Sequence, residues 1–243
     1  FKFKFFNHLE KGDVEKPDIT IIQGDFSHPV ILERIKSKKY DVIFHQAAVP
    51  RVLYSVENPI ETTEVNLSRT LDLFNACRDS VKRVVYASSS SVYGGADILP
   101  TSEDHPKSPK SPYAWQKSSI EDLAEIFFNL YGLDIVCLRY FNVFGPGQLG
   151  DSPYSTAISA WCNAIKEGKP LRSDGDGEQT RDMCYIDNVV HANILAAEHK
   201  GPFAGSCFNI ACGERNSNNK ILEYFLNKFP DIVINNAPER QGD

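Results

Sequence analysis

Short apolar runs alternate with amphipathic segments over residues 18–140 of this chain. Strands are predicted at 19–22, 41–48, 81–88 and 133–140. Helices are predicted at 29–38, 59–78 and 112–131. The strand segments are apolar runs rather than alternating patterns, which is typical of strands buried on both faces of a parallel sheet. The chain therefore predicts an α/β fold with a doubly wound parallel sheet.

The pattern changes after Pro146, where a loop rich in Gly, Asp, Ser and Pro spans 147–154. Helices are predicted beyond it at 155–167, 187–199 and 216–229, with short strands at 183–186 and 208–211. This region predicts a smaller C-terminal lobe interleaved with the first part of the chain. We expect residues 1–143 with 183–211 to form one domain, and residues 144–182 with 212–243 to form the smaller lobe.

Polar residues cluster where the predicted strands end. They are Asp25, His45-Gln46-Ala47-Ala48, Ser88–Ser91 and Asn142. Ligands of doubly wound sheets bind beyond the carboxyl ends of the strands. One polar residue at a strand end means little, but this series predicts a single crevice lined by polar groups.

Composition and charge narrow the classes of function. The 243 residues include 26 basic and 32 acidic side chains, a net charge of −6, which disfavours a nucleic-acid partner. The six cysteines form no Cys-x-x-Cys pair, so free thiols in a reducing compartment are favoured over disulfides or a metal site. No apolar run reaches the about 18–20 residues of a membrane span, and no signal peptide is recognisable. We expect a cytoplasmic protein without a metal.

The most informative stretch is 86–117, which contains a hydroxyl cluster at Ser88–Ser91 and the pair Tyr113 and Lys117. The pair lies four positions apart and therefore on one helix face. A cation near a phenol favours the phenolate, and a neighbouring serine can share the proton, which gives an acid/base relay for alcohol oxidation. Each feature has a simpler interpretation: an exposed helix start for the pair, and backbone capping for the serines.

Together with other motifs, this stretch resembles the extended short-chain dehydrogenase/reductases, in their NAD-dependent nucleotide-sugar epimerase/dehydratase branch. The shared residues are Gly24-Asp25, His45–Ala48, Asn66 with Thr70, Ser88–Gly94, Tyr113-x-x-x-Lys117, Leu138–Pro146, Gly175-Asp176-Gly177, Thr180-Arg181-Asp182 and Arg240-x-Gly242-Asp243. The resemblance implies a Rossmann-type sheet, bound NAD, and a UDP-sugar substrate held by the smaller lobe.

The resemblance also implies roles for individual residues. The catalytic residues would be Ser89, Tyr113 and Lys117. Ser90 is the alternative for the catalytic serine, if the match to the family motif is shifted by one position. Lys117 would bind the nicotinamide ribose and lower the pKa of Tyr113. The cofactor would contact Asp25, Phe26, Gln46, Ala47, Ala48, Asn66, Tyr113, Lys117, Tyr140 and Phe141. The substrate would contact Ser89, Ser90, Tyr113, Asn142, Arg181 and Arg240, the last three at the diphosphate.

The chain departs from the family pattern at both ends. The Gly-x-x-Gly-x-x-Gly loop that follows the first strand of the family is absent from the sequence. We therefore expect that the first β-α-β unit is missing, and that the family continues beyond the final Arg-x-Gly-Asp.

The positions after the catalytic serine favour one reaction. Dehydratases carry an Asp-Glu pair there, whereas this chain has Ser90 and Ser91. We expect a UDP-hexose 4-epimerase that uses tightly bound NAD. The alternatives are a UDP-uronate decarboxylase or epimerase, a reductase, or a non-enzymatic nucleotide-binding relative. A homodimer is expected through the helices 59–78 and 112–131, as in the family.

Overall fold

A computed structural model describes residues 4–6, 20–50, 52–150 and 156–238. The strands are β1 (Lys4–Phe6), β2 (Ile21–Gln23), β3 (Val42–His45), β4 (Arg83–Ser89), β5 (Asp134–Tyr140), β6 (Asn142–Phe144), β7 (Leu171–Asp174), β8 (Thr180–Arg181), β9 (Met183–Tyr185), β10 (Cys207–Ile210), β11 (Asn216–Ser217) and β12 (Ile234–Ala237). The helices are α1 (Pro29–Lys36), α2 (Val52–Glu57), α3 (Pro59–Thr63), α4 (Arg69–Cys77), α5 (Pro112–Tyr131), α6 (Ala157–Lys166), α7 (Ile186–Glu198) and α8 (Asn218–Lys228).

The central sheet is parallel and has the order β10-β5-β4-β3. Its inner strands β4 and β5 are buried along almost their whole length, as their continuous apolar runs predict. The register pairs Ser89 with Tyr140, so the two residues end their strands side by side. The predicted α/β class with a parallel sheet is confirmed.

Helices cover both faces of this sheet. On one face, Phe74 of α4 and Ile120 of α5 belong to a cluster that includes Ile35 of α1 and Val84 of β4. On the other face, Ala196 of α7 packs with Val85 and Val136. The catalytic candidates on α5 and the helix α7 therefore approach the sheet from opposite sides.

A separate apolar cluster lies in the C-terminal part of the chain. Trp161 of α6, Leu171 of β7 and Ile221 of α8 form its buried centre. Strand β12 pairs in parallel with β7, and β11 pairs antiparallel with β8. Within residues 183–211, β10 pairs with β5 and joins the central sheet, whereas β9 pairs with β6 outside it.

Strand β2 lies outside the central sheet. Its register partners are Lys4–Phe6, to which it runs antiparallel, whereas the sequence pattern placed it among parallel strands. A strand of three residues still has backbone groups to pair, and β1 provides partners for them.

The predicted helix 59–78 contains a π turn. Helix α3 ends at Thr63, a π turn spans Glu64–Ser68, and α4 continues from Arg69. Such turns insert an extra residue and are frequent at functional sites. In this protein the turn carries the buried Asn66.

Helix α5 begins and ends as its sequence predicts. Ser111 caps the helix by accepting a hydrogen bond from the Ala114 amide, and Pro112 takes the first helical position. Gly132 ends it with a φ of 71°, a conformation that glycine adopts without strain. These caps fix the start of the helix, and with it Tyr113 and Lys117. In the described residues, no helix is long and apolar enough to span a membrane.

Candidate active site

The structure brings Ser89, Tyr113 and Lys117 together. Ser89 ends β4, while Tyr113 and Lys117 occupy the first two turns of α5 on the side that faces the sheet. Both α5 side chains are buried, with exposed fractions of 9% for Tyr113 and 3% for Lys117. A surface helix start is therefore excluded for this pair.

Lys117 is held by a carbonyl and by an aromatic ring. Its ammonium donates a 2.6 Å hydrogen bond to the Ala87 carbonyl and lies 4.7 Å from the centre of the Tyr86 ring. Burial lowers the pKa of Lys117 to about 8, although Cys137 and Glu121 act in the opposite direction. The ammonium is thus fixed beside the sheet at neutral pH.

The pKa of Tyr113 is raised, whereas the family resemblance implies a lowered value. Burial raises its pKa, and a hydrogen bond from Ser89 only partly offsets this rise. The family resemblance implies that Lys117 lowers this pKa. In this structure the lysine amine points to the Ala87 carbonyl and lies 5.8 Å from the centre of the Tyr113 ring. Of the neighbouring groups, Ser89 is the one that acts to lower the pKa of Tyr113.

The serine cluster has a structural role as well. The Ser89 hydroxyl accepts hydrogen bonds from the Ser91 amide and the Ser91 hydroxyl, which caps a 3₁₀ turn at Ser90–Tyr93. This turn ends at Gly94, where a Cβ would come within 1.8 Å of the Ser108 carbonyl oxygen. The cluster combines backbone capping with a hydroxyl next to Tyr113.

A crevice of about 200 Å³ opens at this point. Its lining residues are Gln46, Ala48, Pro50, Ala87, Ser88, Ser89, Tyr113, Lys117, Tyr140 and Phe141. Candidate residues from the ends of β3, β4 and β5 therefore meet here, as expected for a parallel sheet. Ala47 is exposed and is not among the lining residues.

A larger groove of about 830 Å³ adjoins the crevice and shares with it the lining residues Pro50, Ser89, Tyr113, Tyr140 and Phe141. Of the substrate candidates, Ser89, Ser90, Tyr113, Asn142 and Arg181 line this groove. A third cavity of about 280 Å³, next to Trp161, is also lined by Asn142 and Arg181. These two residues thus join the two cavities. Arg240 lies outside the described residues.

Asp25 and Phe26 lie at the edge of the site. Burial raises the pKa of Asp25, but hydrogen bonds from Ser27 and the charge of Arg69 outweigh it, so the pKa is lowered. Arg69 forms an ion pair with this carboxylate. The Phe26 ring packs 5.0 Å from the His45 ring, which connects the segment after β2 to the end of β3.

Asn66 holds a loop of the crevice in place. Its amide accepts a 2.7 Å bond from the Val49 nitrogen and donates to the Val49 carbonyl and to Gln116. Only 1% of Asn66 is exposed. In this structure the side chain positions the backbone next to Ala48 and Pro50 rather than facing the crevice itself.

Sequence reasoning missed a buried charged network below the site. Glu121 accepts two bonds of 2.9 Å from Arg139 and one of 2.6 Å from Ser88. Arg139 also donates to the Tyr93 hydroxyl, which donates in turn to Asn209. A signal was available, because Glu121 comes four positions after Lys117 on the same face of α5.

Arg215 was also missed. Its guanidinium donates two bonds, of 3.2 and 3.1 Å, to the Thr180 hydroxyl, and the residue lines the same groove as Arg181. Asp182 fixes the neighbouring loop by accepting the Cys212 and Gly213 amides at 2.8 and 2.7 Å.

The histidine and cysteine side chains of the described residues form no candidate metal site. Burial, together with the nearby charge of Lys117, lowers the pKa of His45 to about 3, so this side chain stays neutral against Thr70. The six cysteines are free thiols. Within the ranges that the structure describes, no group of three His, Cys, Asp or Glu side chains could hold a metal ion.

The chain is similar to known proteins over most of its length. A profile of the NAD dependent epimerase/dehydratase family matches residues 5–211. The UDP-glucose 4-epimerase of Mycolicibacterium smegmatis is 35% identical over 224 residues, which cover 90% of this chain and 65% of that protein. Among relatives of this kind, the chain spans about 65–74% of their length.

Solved structures are similar over the whole described fold. The UDP-N-acetylglucosamine 4-epimerase from Methanobrevibacter ruminantium, solved with UDP-N-acetylmuramic acid, gives a TM-score of 0.88 at 38% identity, covering 94% of this chain and 73% of that one. The UDP-glucuronic acid 4-epimerase from Bacillus cereus, solved with UDP-glucuronic acid and NAD, gives 0.82 at 29% identity, with coverages of 93% and 70%. The chain belongs to the NAD dependent epimerase/dehydratase family.

Proposed function

We propose that this protein is an NAD-dependent UDP-sugar 4-epimerase. The observation that carries the proposal is the meeting of Ser89, Tyr113 and Lys117 where the crevice joins the larger groove. A phenol and a hydroxyl at this junction can exchange a proton with a sugar hydroxyl that enters from the groove.

The crevice fits the nicotinamide end of NAD. Its lining includes the amide of Gln46, the hydroxyl of Ser89 and the ammonium of Lys117, together with the rings of Tyr140 and Phe141. When bound, NAD supplies reversible two-electron oxidation of a sugar carbon. We propose that Asp25 and Phe26 border the adenine end.

The chain's own residues handle the proton. Tyr113 takes the proton of the sugar hydroxyl and later returns it, while Ser89 stabilises the phenolate through its hydrogen bond. Lys117 is anchored to the Ala87 carbonyl, which places its positive charge beside the crevice. Burial of both α5 side chains keeps water from competing for that proton.

The larger groove and the cavity beside Trp161 suit a nucleotide diphosphate. We propose that Asn142 and Arg181 contact the diphosphate, because both residues line the two connected cavities. A guanidinium gives charge-assisted, two-pronged contacts to phosphate. Arg240 is proposed as a further contact from the sequence resemblance alone. The smaller lobe, residues 144–182 and 212–243, would then be the substrate-binding part.

The side chains next to Ser89 favour epimerisation over dehydration. Ser90 and Ser91 occupy the two positions after it, and both line the groove without offering a carboxylate. Elimination of water needs an acid and a base in addition to Tyr113. Oxidation and reduction at one carbon need only the groups that are present.

The decisive experiment is a coupled assay on the purified protein with NAD. Interconversion of UDP-glucose and UDP-galactose, or of their N-acetyl or uronic acid forms, supports the proposal. Release of carbon dioxide from a UDP-uronic acid would identify a decarboxylase instead, and net formation of NADH an oxidoreductase. Binding of UDP-sugars without any turnover would show that the protein binds nucleotides but is not an enzyme for these substrates.

We further propose that the protein is a cytoplasmic homodimer. Helices α2, α3 and α5 pack against one another and expose an apolar surface, made by Leu53, Val56, Ile60 and Trp115, with exposed fractions from 49% to 86%. We call these four residues the helical apolar face. Burial of such a surface favours association with a second copy. The free thiols suit a reducing compartment.

A further inference from the structure

A closed ring of hydrogen bonds joins Gln46, Tyr140 and Asn193. Asn193 donates to the Tyr140 hydroxyl at 2.7 Å, and that hydroxyl donates to the Gln46 side-chain oxygen at 3.1 Å. The Gln46 amide then donates back to Asn193 at 3.1 Å. Gln46 comes directly after β3, Tyr140 ends β5 and Asn193 lies on α7, so three elements meet through side chains alone.

The direction of each bond in the ring is determined by its neighbours. Asn193 also donates a 2.7 Å bond to the Val189 carbonyl, which can only accept. The nitrogen of the Asn193 amide is thereby assigned, and its oxygen must accept from Gln46. The Gln46 oxygen is then left to accept the proton of Tyr140. The hydroxyl proton of Tyr140 is therefore used in the hydrogen bond to Gln46.

The ring of hydrogen bonds distinguishes the two tyrosine hydroxyls of the crevice. Tyr113 and Tyr140 both line the crevice and the adjoining groove, and Gln46 lines the crevice, whereas Asn193 lines neither cavity. Tyr113 has a serine partner near the groove, while Tyr140 has its hydroxyl fixed between two amides. Asn193 thus reaches the site from the opposite face of the sheet, through Tyr140.

We propose that Asn193 is a positioning residue for the reaction, which holds Tyr140 as a fixed wall of the crevice and keeps its hydroxyl away from the substrate. This inference rests on the proposed epimerase function. Its basis is the ring of hydrogen bonds itself: loss of Asn193 leaves the Tyr140 hydroxyl with Gln46 as its one partner in the ring and removes the acceptor of the Gln46 amide. Tyr113 then remains the phenol that exchanges protons.

A double-mutant cycle on the full-length protein tests the proposal. The variants are Asn193→Ala, Tyr140→Phe and the double variant, with Asn188→Ala as the matched control. Asn188 lies on the same helix and is exposed. We expect Asn193→Ala to lower kcat roughly fivefold, as for one neutral hydrogen bond, with KM for the UDP-sugar unchanged. In the Tyr140→Phe background the same substitution should have no further effect.

A second readout does not depend on activity. The phenols are labelled at the ring carbon that bears the hydroxyl, the Tyr140 signal is assigned by its loss in Tyr140→Phe, and its titration is followed by NMR. A hydrogen bond from Asn193 lowers the pKa of Tyr140, against the larger effect of burial, which raises it. Asn193→Ala should therefore raise this pKa further, while Asn188→Ala leaves it unchanged.

The outcomes separate this inference from the proposed function. Additive losses in the cycle, a change confined to KM, or an unchanged Tyr140 titration in Asn193→Ala would each overturn the role of Asn193. If the unmodified protein turns over no UDP-sugar, the proposed function fails. The titration then still decides whether Asn193 controls Tyr140.

Discussion

Tyr113 and Lys117 lie one helical turn apart, and burial shifts the pKa values of the two side chains in opposite directions. Burial acts on both, and it disfavours the charged form in each case: the phenol pKa rises and the amine pKa falls to about 8. Each group therefore favours its neutral form more strongly than it would in water. Because burial makes the phenolate costly, the proposed proton exchange with a sugar hydroxyl would depend on the Ser89 hydrogen bond, which acts to lower the pKa of Tyr113.

Replacement of Tyr113 by phenylalanine should remove the proton exchange and leave the crevice intact. We expect kcat to fall by about 10²–10⁴-fold, the usual contribution of general acid–base catalysis, with little change in UDP-sugar binding. Steady-state kinetics and calorimetric binding measure the two quantities. Tyr224→Phe, at an exposed tyrosine on α8, serves as the control. Retention of activity in Tyr113→Phe would contradict the assignment of Tyr113.

The lowered pKa of Lys117 also predicts a pH dependence of stability. Between pH 8 and 10.5 the unfolded chain keeps the lysine proton while the folded protein loses it. Stability must therefore rise with pH across this window. Relative to Lys117→Met, the unmodified protein should gain about 3 kcal/mol from pH 8 to above 10.5, since each pKa unit corresponds to about 1.4 kcal/mol.

Urea denaturation at several pH values measures this difference. Lys36→Met, at a half-exposed lysine on α1, controls for the loss of a lysine as such. An equal pH profile for Lys117→Met and the unmodified protein would show that the amine is not buried as described.

At the scale of elements, the π turn between α3 and α4 decides where the crevice loop lies. It turns Asn66 toward Val49, whose amide and carbonyl would otherwise be without these partners. The bond from Asn66 to Gln116 also connects the turn to α5. One side chain thus fixes the helix that carries Tyr113 and the loop after β3 in relation to each other.

Asn66→Ala should therefore cost about 2–3 kcal/mol of unfolding free energy, because it leaves buried polar groups unpaired. Activity should fall as well, since the loop at Ala48 and Pro50 is no longer held. Asn75→Ala provides the matched control, at an exposed position of the following helix α4. It should change stability by less than about 0.5 kcal/mol. Urea denaturation gives both values, and similar losses for the two variants would refute the positioning role of Asn66.

At the scale of the whole molecule, the crevice and the groove form the proposed active site, and the helical apolar face forms the proposed dimer interface. The crevice and the groove meet at Ser89 and Tyr113, while α5 turns Trp115 outward on its exposed side. The same helix therefore carries catalytic candidates on its inner face and dimer candidates on its outer face.

Ile60→Asp tests the dimer. Ile60 is 86% exposed in the helical apolar face, and a charge at this position should convert a dimer into a monomer. Light scattering after size-exclusion chromatography gives the mass. Val233→Asp, at another exposed apolar residue near β12, is the control and should leave the mass unchanged. A monomeric unmodified protein, or a dimer that survives Ile60→Asp, would exclude this interface.

Local signals determined much of this molecule. The continuous apolar runs fixed β4 and β5 as inner strands, because a strand buried on both faces has no polar side. Ser111, Pro112 and Gly132 fixed the limits of α5, because caps act within a few residues. The four-residue spacing of Tyr113 and Lys117 put both on one face. These features depend on short-range geometry, which the sequence encodes directly.

Tertiary contacts decided the rest. In helix α2, the buried Ser55 hydroxyl accepts a hydrogen bond from the Tyr113 amide. Gln46, Tyr140 and Asn193 are far apart in sequence, but their side chains form hydrogen bonds with one another. Burial, a property of the folded chain, sets the pKa of Lys117 and raises that of Tyr113. The sequence by itself therefore determined the inner strands, the capped helix and the residue types that we propose as catalytic. Only the packed structure decided their partners and their proton affinities, because both depend on groups brought together from distant segments.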